Sequence, residues 1–307
     1  MGIFFNREQY QGYNIYSMKK YVDKKRVIFN IMVSIITVIT LMLVIYYIVD
    51  TSLRVKQSKR YEEQIIAYQK EQEELKKQEQ EEKKSRIPQL TDEGKEKIKN
   101  IYHSDTKRAF LTFDDGPSNN TIDILNILKE NNIKATFFVL GSQVEVFPET
   151  TNRIYNEGHF IANHGYSHRY SSIYKSTDEI LNEYNHCNQI VASTINVPEY
   201  NSHLFRFPGG SVGGKYAQIK KEAISLLEQN DVLYIDWNSL TGDSEKVNPS
   251  EEYLMNNLQK TTSGKNSLVI LMHDSQAKRI TVEFLPKVIE YLRQQGYEFD
   301  NFYSIIK

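Results

Sequence analysis

Two adjacent carboxylates, Asp114 and Asp115, stand where an apolar run, residues 109–111, gives way to Gly116 and Pro117. The apolar run predicts a strand, and α/β enzymes place their chemistry at the carboxyl ends of strands. Because side chains on a strand alternate in direction, the two carboxylates can do different jobs only if the backbone turns here, which Gly and Pro permit. One carboxylate could then bind a metal while its neighbour moves protons. The alternative is a turn whose aspartates only cap the backbone.

A pair of histidines, His164 and His168, follows further along the chain at positions i and i+4. Side chains at this spacing can face one centre from a helical turn or a tight loop. One carboxylate and two imidazoles form a set that suits Zn²⁺ or another borderline divalent ion, with positions left open for water and substrate. The pair therefore strengthens the metal interpretation of the upstream carboxylates.

Together with three further segments, these residues resemble the polysaccharide deacetylases, the NodB-homology domain also called carbohydrate esterase family 4. The five segments that carry the resemblance are residues 112–117, 164–168, 206–210, 236–244 and 271–273. The resemblance spans residues 103–307 and implies that Asp114 is the catalytic base and Asp115 a metal ligand. It also implies that His164 and His168 complete the metal set.

The third and last segments supply the remaining expected roles. Arg206 resembles the arginine that positions the base in this family, and the backbone N–H of Gly209 is expected to face the oxyanion. His273 resembles the general acid. A nearby carboxylate would favour its imidazolium form and hold the ring in one orientation.

The fourth segment departs from the family pattern at one position. Asp243 is expected to orient His273, but Ser244 stands where the family commonly has a tryptophan that forms one wall of the substrate groove. The residues expected to line the groove are Trp237, Pro208 and Leu271.

The periodicity of residues 103–307 predicts an α/β fold. Seven apolar runs of strand type occur at residues 107–113, 134–140, 159–162, 204–207, 232–237, 267–272 and 297–302. Helical patterns separate most of these runs, which indicates a parallel sheet and a closed or nearly closed barrel. The family resemblance implies a distorted (β/α)7 barrel.

Two of these helices carry start signals. Ser176 and Glu179 have the spacing of a capping box, and Asn248 before Pro249 predicts an N-cap followed by proline in the first turn.

The front of the chain predicts a membrane anchor. Residues 27–49 are apolar or uncharged throughout and long enough to cross a bilayer. Basic residues flank both ends, so the distribution of positive charge favours a cytoplasmic segment 1–26 only weakly. A catalytic domain that acts on cell-wall sugar must lie outside, which favours the same orientation: a single-pass protein of the cell membrane whose catalytic domain faces the wall.

Between anchor and barrel, residues 50–102 predict a charged stalk or linker. Glu, Lys and Gln dominate residues 56–86, where many Glu–Lys pairs have helical spacing. A hint of a heptad seam comes from Tyr61, Ile65, Tyr68 and Leu75. The seam is too short to predict a coiled coil, and disorder is an open alternative.

The composition of the chain bears on nucleic-acid binding and on disulfide bonds. The net charge of −1 gives no indication of a nucleic-acid partner, and the single cysteine, Cys187, rules out an intramolecular disulfide. Neither feature indicates an oligomeric state.

The sequence therefore predicts a membrane-anchored, metal-dependent hydrolase that removes N-acetyl groups, most directly from N-acetylglucosamine of peptidoglycan. The metal is expected to be Zn²⁺, with Co²⁺, Mn²⁺ or Ni²⁺ as alternatives. The resemblance implies that deacetylation reduces recognition of the wall by lysozyme. Open alternatives are an O-acetyl esterase, a deacetylase of chitin-like or N-acetylmuramic substrates, and a carbohydrate-binding protein without turnover.

Overall fold

The computed structural model describes residues 12–306 of the chain, so residues 1–11 of the predicted cytoplasmic segment lie outside the described part. Helix α1 (Gly12–Ser85) contains both the apolar residues 27–49 and the charged segment that follows. Among the described residues, this is the one helix long and apolar enough to span a membrane. That finding is consistent with a membrane anchor or a signal sequence.

The chain divides into two compact units, Met1–Gln78 and Glu79–Lys307. The second unit begins within the last two turns of α1, before the expected boundary at residue 103. Arg86, directly after α1, donates a hydrogen bond of 2.6 Å to the carbonyl of Tyr155 and places its guanidinium 4.8 Å from the centre of that ring.

A parallel sheet organises the second unit. Its strands, within the described residues, are β1 (Arg108–Asp114), β2 (Thr136–Val139), β3 (Phe160–Asn163), β4 (Leu204–Phe205), β5 (Leu233–Tyr234), β6 (Ser239–Leu240), β7 (Ser267–His273) and β8 (Glu298–Asp300). The hydrogen-bonded order is β5-β4-β3-β2-β1-β7-β6. The path starts at β5 and ends at β6, so the sheet is a barrel left open between these two strands.

Two strands differ from the sequence prediction. Strand β6 was not predicted, because only Ser239 and Leu240 pair with β7 and so short a segment has no readable period. Strand β8, predicted as a seventh barrel strand, lies off the main path and pairs with the first half of β1, at residues 108–110. The second half of β1 pairs with β2 on that side instead.

Helices connect the strands of the sheet. They are α2 (Asp92–Lys99), α3 (Asn119–Glu130), α4 (Gly141–Val146), α5 (Pro148–Asn156), α6 (Tyr170–Ile173), α7 (Thr177–Thr194), α8 (Ala217–Gln229), α9 (Glu251–Thr262) and α10 (Arg279–Gln294), with a final 3₁₀ turn at Phe302–Ser304. The predicted cap at Ser176 is confirmed, since its side chain accepts a hydrogen bond from the N–H of Glu179.

The predicted cap at Asn248 is wrong. Helix α9 is capped by Ser250, whose hydroxyl accepts a hydrogen bond from the N–H of Tyr253. Asn248 has a φ of +49°, whereas an N-cap residue adopts the extended region. Two residues after Asn248, the chain returns to that region at Ser250, where φ is −71° and ψ 154°.

The two faces of the sheet bury two separate apolar clusters. Leu111 and Phe113 of β1 pack with α3 and α10 on one face, while Phe110 belongs to the other. That second face is covered by Ile98 of α2 and by Phe302, whose ring stacks on Phe110 at 5.2 Å. Burying each such side chain contributes about 1.5–3 kcal/mol. Packing on both faces fixes the strands whose carboxyl ends carry the candidate site.

Candidate active site

The candidate site begins where β1 and β7 end side by side. Asp114 pairs in register with His273, and both belong to the strand face that also carries Phe110. Asp115 has a φ of +73°, in the left-handed region, so the backbone turns between the two carboxylates. The turn expected from Gly116 and Pro117 is therefore present and sends Asp115 in a different direction from its neighbour.

Asp115 converges with the two predicted histidines. Its Oδ1 lies 3.4 Å from Nε2 of His164 and 3.3 Å from Nε2 of His168, and the three potential ligand atoms all lie within 4.8 Å of one another. Oδ1 is buried without a hydrogen-bond partner. One unpaired carboxylate oxygen facing two imidazole nitrogens fits a divalent ion of the zinc type.

The electrostatics of the cluster favour the protonation states of Asp115 and His168 that bind a metal ion. Burial by itself would raise the pKa of Asp115, but the polar contact with His164 and its charge, with the charges of His273 and His168, hold that pKa well below its usual range. Burial lowers the pKa of His168, against an opposing effect of Asp115. A carboxylate and a neutral imidazole are the forms that bind metals.

Hydrogen bonds to Arg206 and Glu183 hold the two histidines and the loop between them. Nδ1 of His164 donates to the carbonyl oxygen of Arg206 at 2.7 Å, which leaves Nε2 facing Asp115. The carboxylate of Glu183, on α7, accepts hydrogen bonds from the backbone N–H of Tyr166 at 2.6 Å and from that of Ser167 at 2.7 Å. It also accepts the Ser167 hydroxyl at 2.5 Å, so Glu183 holds the loop between the two histidines.

Arg206 is fully buried beside Asp114. Its Nη1 donates to Oδ1 of Asp114 and to the hydroxyl of Thr112, each at 2.8 Å. The guanidinium carbon lies 3.9 Å from the centre of the Phe138 ring. Since the Arg206 carbonyl also binds His164, one residue orients both the candidate base and a candidate ligand.

His273 is paired with Asp243 as expected. Nδ1 lies 3.0 Å from Oδ1 of Asp243, and the backbone N–H of His273 donates to Oδ2 at 2.7 Å. Thr281 also donates to Oδ2 at 2.7 Å. Burial would lower the pKa of His273, but the hydrogen bond and charge of Asp243, with Asp114 and Asp115, raise it to about 9.

The remaining predicted residues differ in exposure. Gly209 is exposed, with a φ of +75°, while Pro208 and Leu271 are buried.

Trp237 is half-buried and would lie 3.1 Å from a side chain added at Gly210. Trp237 also borders a cavity of about 480 Å³ that Tyr102 and Asp236 help to line. Ser244, in the position where a tryptophan was expected, is exposed.

Residues 102–224 match the family described as polysaccharide deacetylase. A putative polysaccharide deacetylase of Bacillus subtilis, YheN, is 33% identical over 229 residues, which cover 69% of this chain and 77% of the relative. The chain belongs to the polysaccharide deacetylase family. A peptidoglycan-N-acetylglucosamine deacetylase of Bacillus cereus is 30% identical over 203 residues, covering 64% of this chain and 70% of that protein.

The fold comparison agrees with this assignment. A CE4 esterase of Streptococcus mutans superposes with a TM-score of 0.62 at 27% identity and covers 70% of this chain and 92% of its own. The resemblance inferred from the five segments and the barrel fold are therefore confirmed, and the protein is an enzyme of the deacetylase family. Metal dependence is general in carbohydrate esterase family 4, and the Asp115, His164 and His168 cluster gives this chain a possible metal site.

Two carboxylates of this polysaccharide deacetylase, one half-buried and one buried, were not predicted from the sequence. Glu183 is one of them, and in the sequence it has the pattern of an ordinary exposed residue of a helix. Asp274 is the other: it is fully buried, it accepts a hydrogen bond of 2.6 Å from Thr121, and its Oδ1 has no partner. Burial raises the pKa of Asp274 to about 7.

Asp274 also occupies the space beside Gly116, where an added side chain would come within 2.1 Å of Oδ2. Asp274 therefore packs against the turn that redirects Asp115.

Proposed function

We propose that the catalytic unit hydrolyses N-acetyl groups of a cell-wall glycan, with N-acetylglucosamine of peptidoglycan as the substrate. The observation that carries the proposal is the meeting of three polar groups at neighbouring strand ends. These groups are the metal-type cluster around Asp115, the Asp114–Arg206 pair and the Asp243–His273 pair. Amide hydrolysis needs a base, an acid and a stabiliser of negative charge, and each group can supply one.

A divalent ion held by Asp115, His164 and His168 would polarise the acetyl carbonyl and lower the pKa of a bound water towards about 7. Zn²⁺ is the proposed ion because the ligand set combines one carboxylate oxygen with two imidazole nitrogens. The same set accepts Co²⁺, Mn²⁺ and Ni²⁺.

Asp114 would take the proton from the attacking water. Arg206 donates to Oδ1 and leaves Oδ2, which lies 3.9 Å from Nε2 of His164, on the side of the metal cluster. The guanidinium thus directs the base towards the place where water would be bound. Proton transfer within hydrogen-bond reach is worth about 10²–10⁴ in rate.

Attack on the acetyl carbonyl places negative charge on its oxygen, and the backbone N–H of Gly209 would donate to that oxygen. When the C–N bond breaks, the departing amine needs a proton. His273 would supply it, because its raised pKa, about 9, keeps the imidazolium populated at neutral pH. The products are acetate and a glycan with a free amine.

The relatives' names support the substrate but leave O-acetyl groups as a second candidate. A decisive assay compares acetate release from matched N-acetyl and O-acetyl glycans by the full chain in detergent, with each of the four metals. N-deacetylation predicts release from the N-acetyl glycan at a rate that far exceeds release from the O-acetyl one. The reverse ratio would make the protein an esterase, and release from neither would favour a binding protein without turnover.

For the front of the chain we propose four segments: residues 1–26 cytoplasmic, 27–49 across the membrane, 50–102 as a charged stalk, and 103–307 as the catalytic domain outside. The uncharged stretch within α1 supports the anchor, and a wall substrate requires the outside position. A reporter enzyme that is active only outside the cytoplasm, fused after Lys307, should be active in cells. A cytoplasm-only reporter that is active at the same position would reverse the topology.

A further inference from the structure

Lys220 is a buried lysine behind the loop that carries Gly209. It lies on α8, its residue is only 3% exposed, and no salt bridge to it occurs among the described residues. Lysine is almost never fully buried unless its charge is paired, because an ammonium group loses its hydration in the interior. The groups that Lys220 contacts must therefore compensate for the lost hydration of its ammonium group.

Those groups are backbone carbonyls of one loop. Nζ of Lys220 donates to the carbonyl of Gly210 at 2.6 Å and to that of Pro208 at 3.3 Å. The ammonium also lies 4.7 Å from the centre of the Tyr174 ring. Tyr174 in turn donates its hydroxyl to the Pro208 carbonyl at 2.6 Å. The loop is thus held from one side by a cation and a phenol.

These contacts fix the direction of the neighbouring N–H groups, because C=O and N–H point in opposite directions in a trans peptide. The peptide between Gly210 and Ser211 shows the rule: its carbonyl faces Lys220, and its N–H donates to Asp236 at 2.9 Å on the other side. The peptide between Pro208 and Gly209 likewise turns its carbonyl to Lys220. Its N–H therefore points away from Lys220, and within residues 12–306 it has no protein acceptor.

The loop needs such support because two consecutive glycines form it. Gly209 and Gly210 have φ values of +75° and +76°, a region that glycine enters freely but does not hold by itself. A donor that stabilises developing charge must be fixed before the reaction to be effective. A cation on the carbonyl side also draws electron density from the peptide, which strengthens its N–H as a donor.

We propose that Lys220, assisted by Tyr174, is a positioning residue that fixes and polarises the Gly209 N–H as the oxyanion donor. The proposal rests on the proposed deacetylase function. Lys220 does not touch the substrate, so its loss should weaken binding of the charged transition state and leave binding of the neutral glycan unchanged.

The test compares Lys220→Met with Lys221→Met in the full chain in detergent. Lys221 is the exposed neighbour on α8 and serves as the matched control. For Lys220→Met we expect kcat to fall by about tenfold to a hundredfold with KM within about twofold, because the donor is misplaced and the ground state is untouched. Inhibition by a methylphosphonamidate analogue of the N-acetyl group should weaken by a similar factor. Zinc affinity, measured by chelator competition, should stay at the wild-type value.

Several results would overturn the proposal. One is a wild-type kcat in Lys220→Met, and another is a loss of kcat with no change in inhibition by the tetrahedral analogue. If Lys220→Met does not fold, Tyr174→Phe decides: it removes one hydroxyl bond to Pro208 and should lower kcat by about threefold to tenfold at constant KM. An unchanged kcat in that variant would contradict the proposal. If the proposed deacetylase function itself is wrong, wild type will release no acetate, which distinguishes that outcome from failure of the Lys220 proposal.

Discussion

At the scale of single residues, identical side chains acquire different jobs from their surroundings. Asp114 lies on the sheet face and pairs with Arg206, whereas Asp115 lies beyond the turn with an unpaired oxygen facing two histidines. The spacing permitted such a division of roles, and the family resemblance implied which carboxylate takes which role. The sequence did not predict Glu183, because a carboxylate on an amphipathic helix carries no signal that it will meet backbone N–H groups of a distant loop.

Glu183 should control metal affinity without touching the metal. Replacing Glu183 by Ala leaves two backbone N–H groups of the histidine loop without their acceptor. Loss of such an outer contact costs about tenfold to a hundredfold in metal affinity. We expect zinc binding, followed by competition with a chromophoric chelator, to weaken by that factor.

Glu130→Ala provides the control, since Glu130 is exposed at the end of α3. Equal zinc affinities in the Glu183 and Glu130 variants would show that the histidine loop holds its shape unaided.

Asp243 should set the alkaline limit of activity. The raised pKa of His273, about 9, means that the imidazolium persists up to that pH and is lost above it. The activity of wild type should therefore fall as pH rises through about 9. In Asp243→Asn the carboxylate charge is gone and burial, which lowers the pKa of His273, prevails, so the alkaline limb should move to lower pH by about one unit or more.

The measurement is kcat/KM against pH on a soluble N-acetylglucosamine oligomer, with the exposed Asp178→Asn as a control. An alkaline limb at the same pH in wild type and Asp243→Asn would mean that His273 is not the titrating acid.

At the scale of elements, strong periodic segments were predictable and short ones were not. Strands β1 and β7 each continue through seven residues that are mostly buried, and their register brings Asp114 opposite His273. Strand β6 has two residues and depends on its pairing with β7. The start of α9 was misplaced because Asn248–Pro249 imitates a cap, whereas the backbone becomes extended only at Ser250.

The packing of the segment where α1 ends could not be predicted from the sequence. Its contact with the catalytic unit depends on Arg86 and Tyr155, which are far apart along the chain and lie in unrelated patterns. The hydroxyl of Tyr155 also donates to the carbonyl of Lys83 at 2.5 Å, so Tyr155 contacts both the last turn of α1 and the residue that follows the helix.

Arg86 should therefore stabilise the catalytic unit. Arg86→Ala removes the hydrogen bond to the Tyr155 carbonyl and the contact with its ring, and hydrogen bonds of charged groups contribute about 1.5–3 kcal/mol each. We expect the free energy of unfolding to fall by about that amount. The protein has one tryptophan, Trp237, whose fluorescence reports unfolding of this unit selectively.

Arg60→Ala, at an exposed arginine of α1 within the first unit, should leave this transition unchanged. Identical transitions in the two variants would show that the contact of Arg86 does not stabilise the catalytic unit.

At the scale of the whole molecule, the chain combines an apolar helix with a hydrolytic barrel. The composition of the chain predicts this organisation. Residues 27–49 carry no charge, the following stretch is rich in Glu, Lys and Gln, and the motifs start only after residue 103. The five motifs were sufficient to identify the family because their order along the chain is far more specific than any one of them. The substrate does not follow from the same motifs, since they describe the reacting groups and not the sugar that carries them.

The central claim is that this protein removes N-acetyl groups with Asp114 as the base. The most direct test incubates purified peptidoglycan with the full chain in detergent and added Zn²⁺, and measures both acetate and the mass of the released sugars. Asp114→Asn, which keeps the shape of the side chain and all three metal-type residues, is the control. We expect acetate together with glucosamine units that lack one acetyl group, in wild type alone.

Equal product from Asp114→Asn would contradict the role of the base. No product from a folded wild-type protein that binds zinc would contradict the function itself.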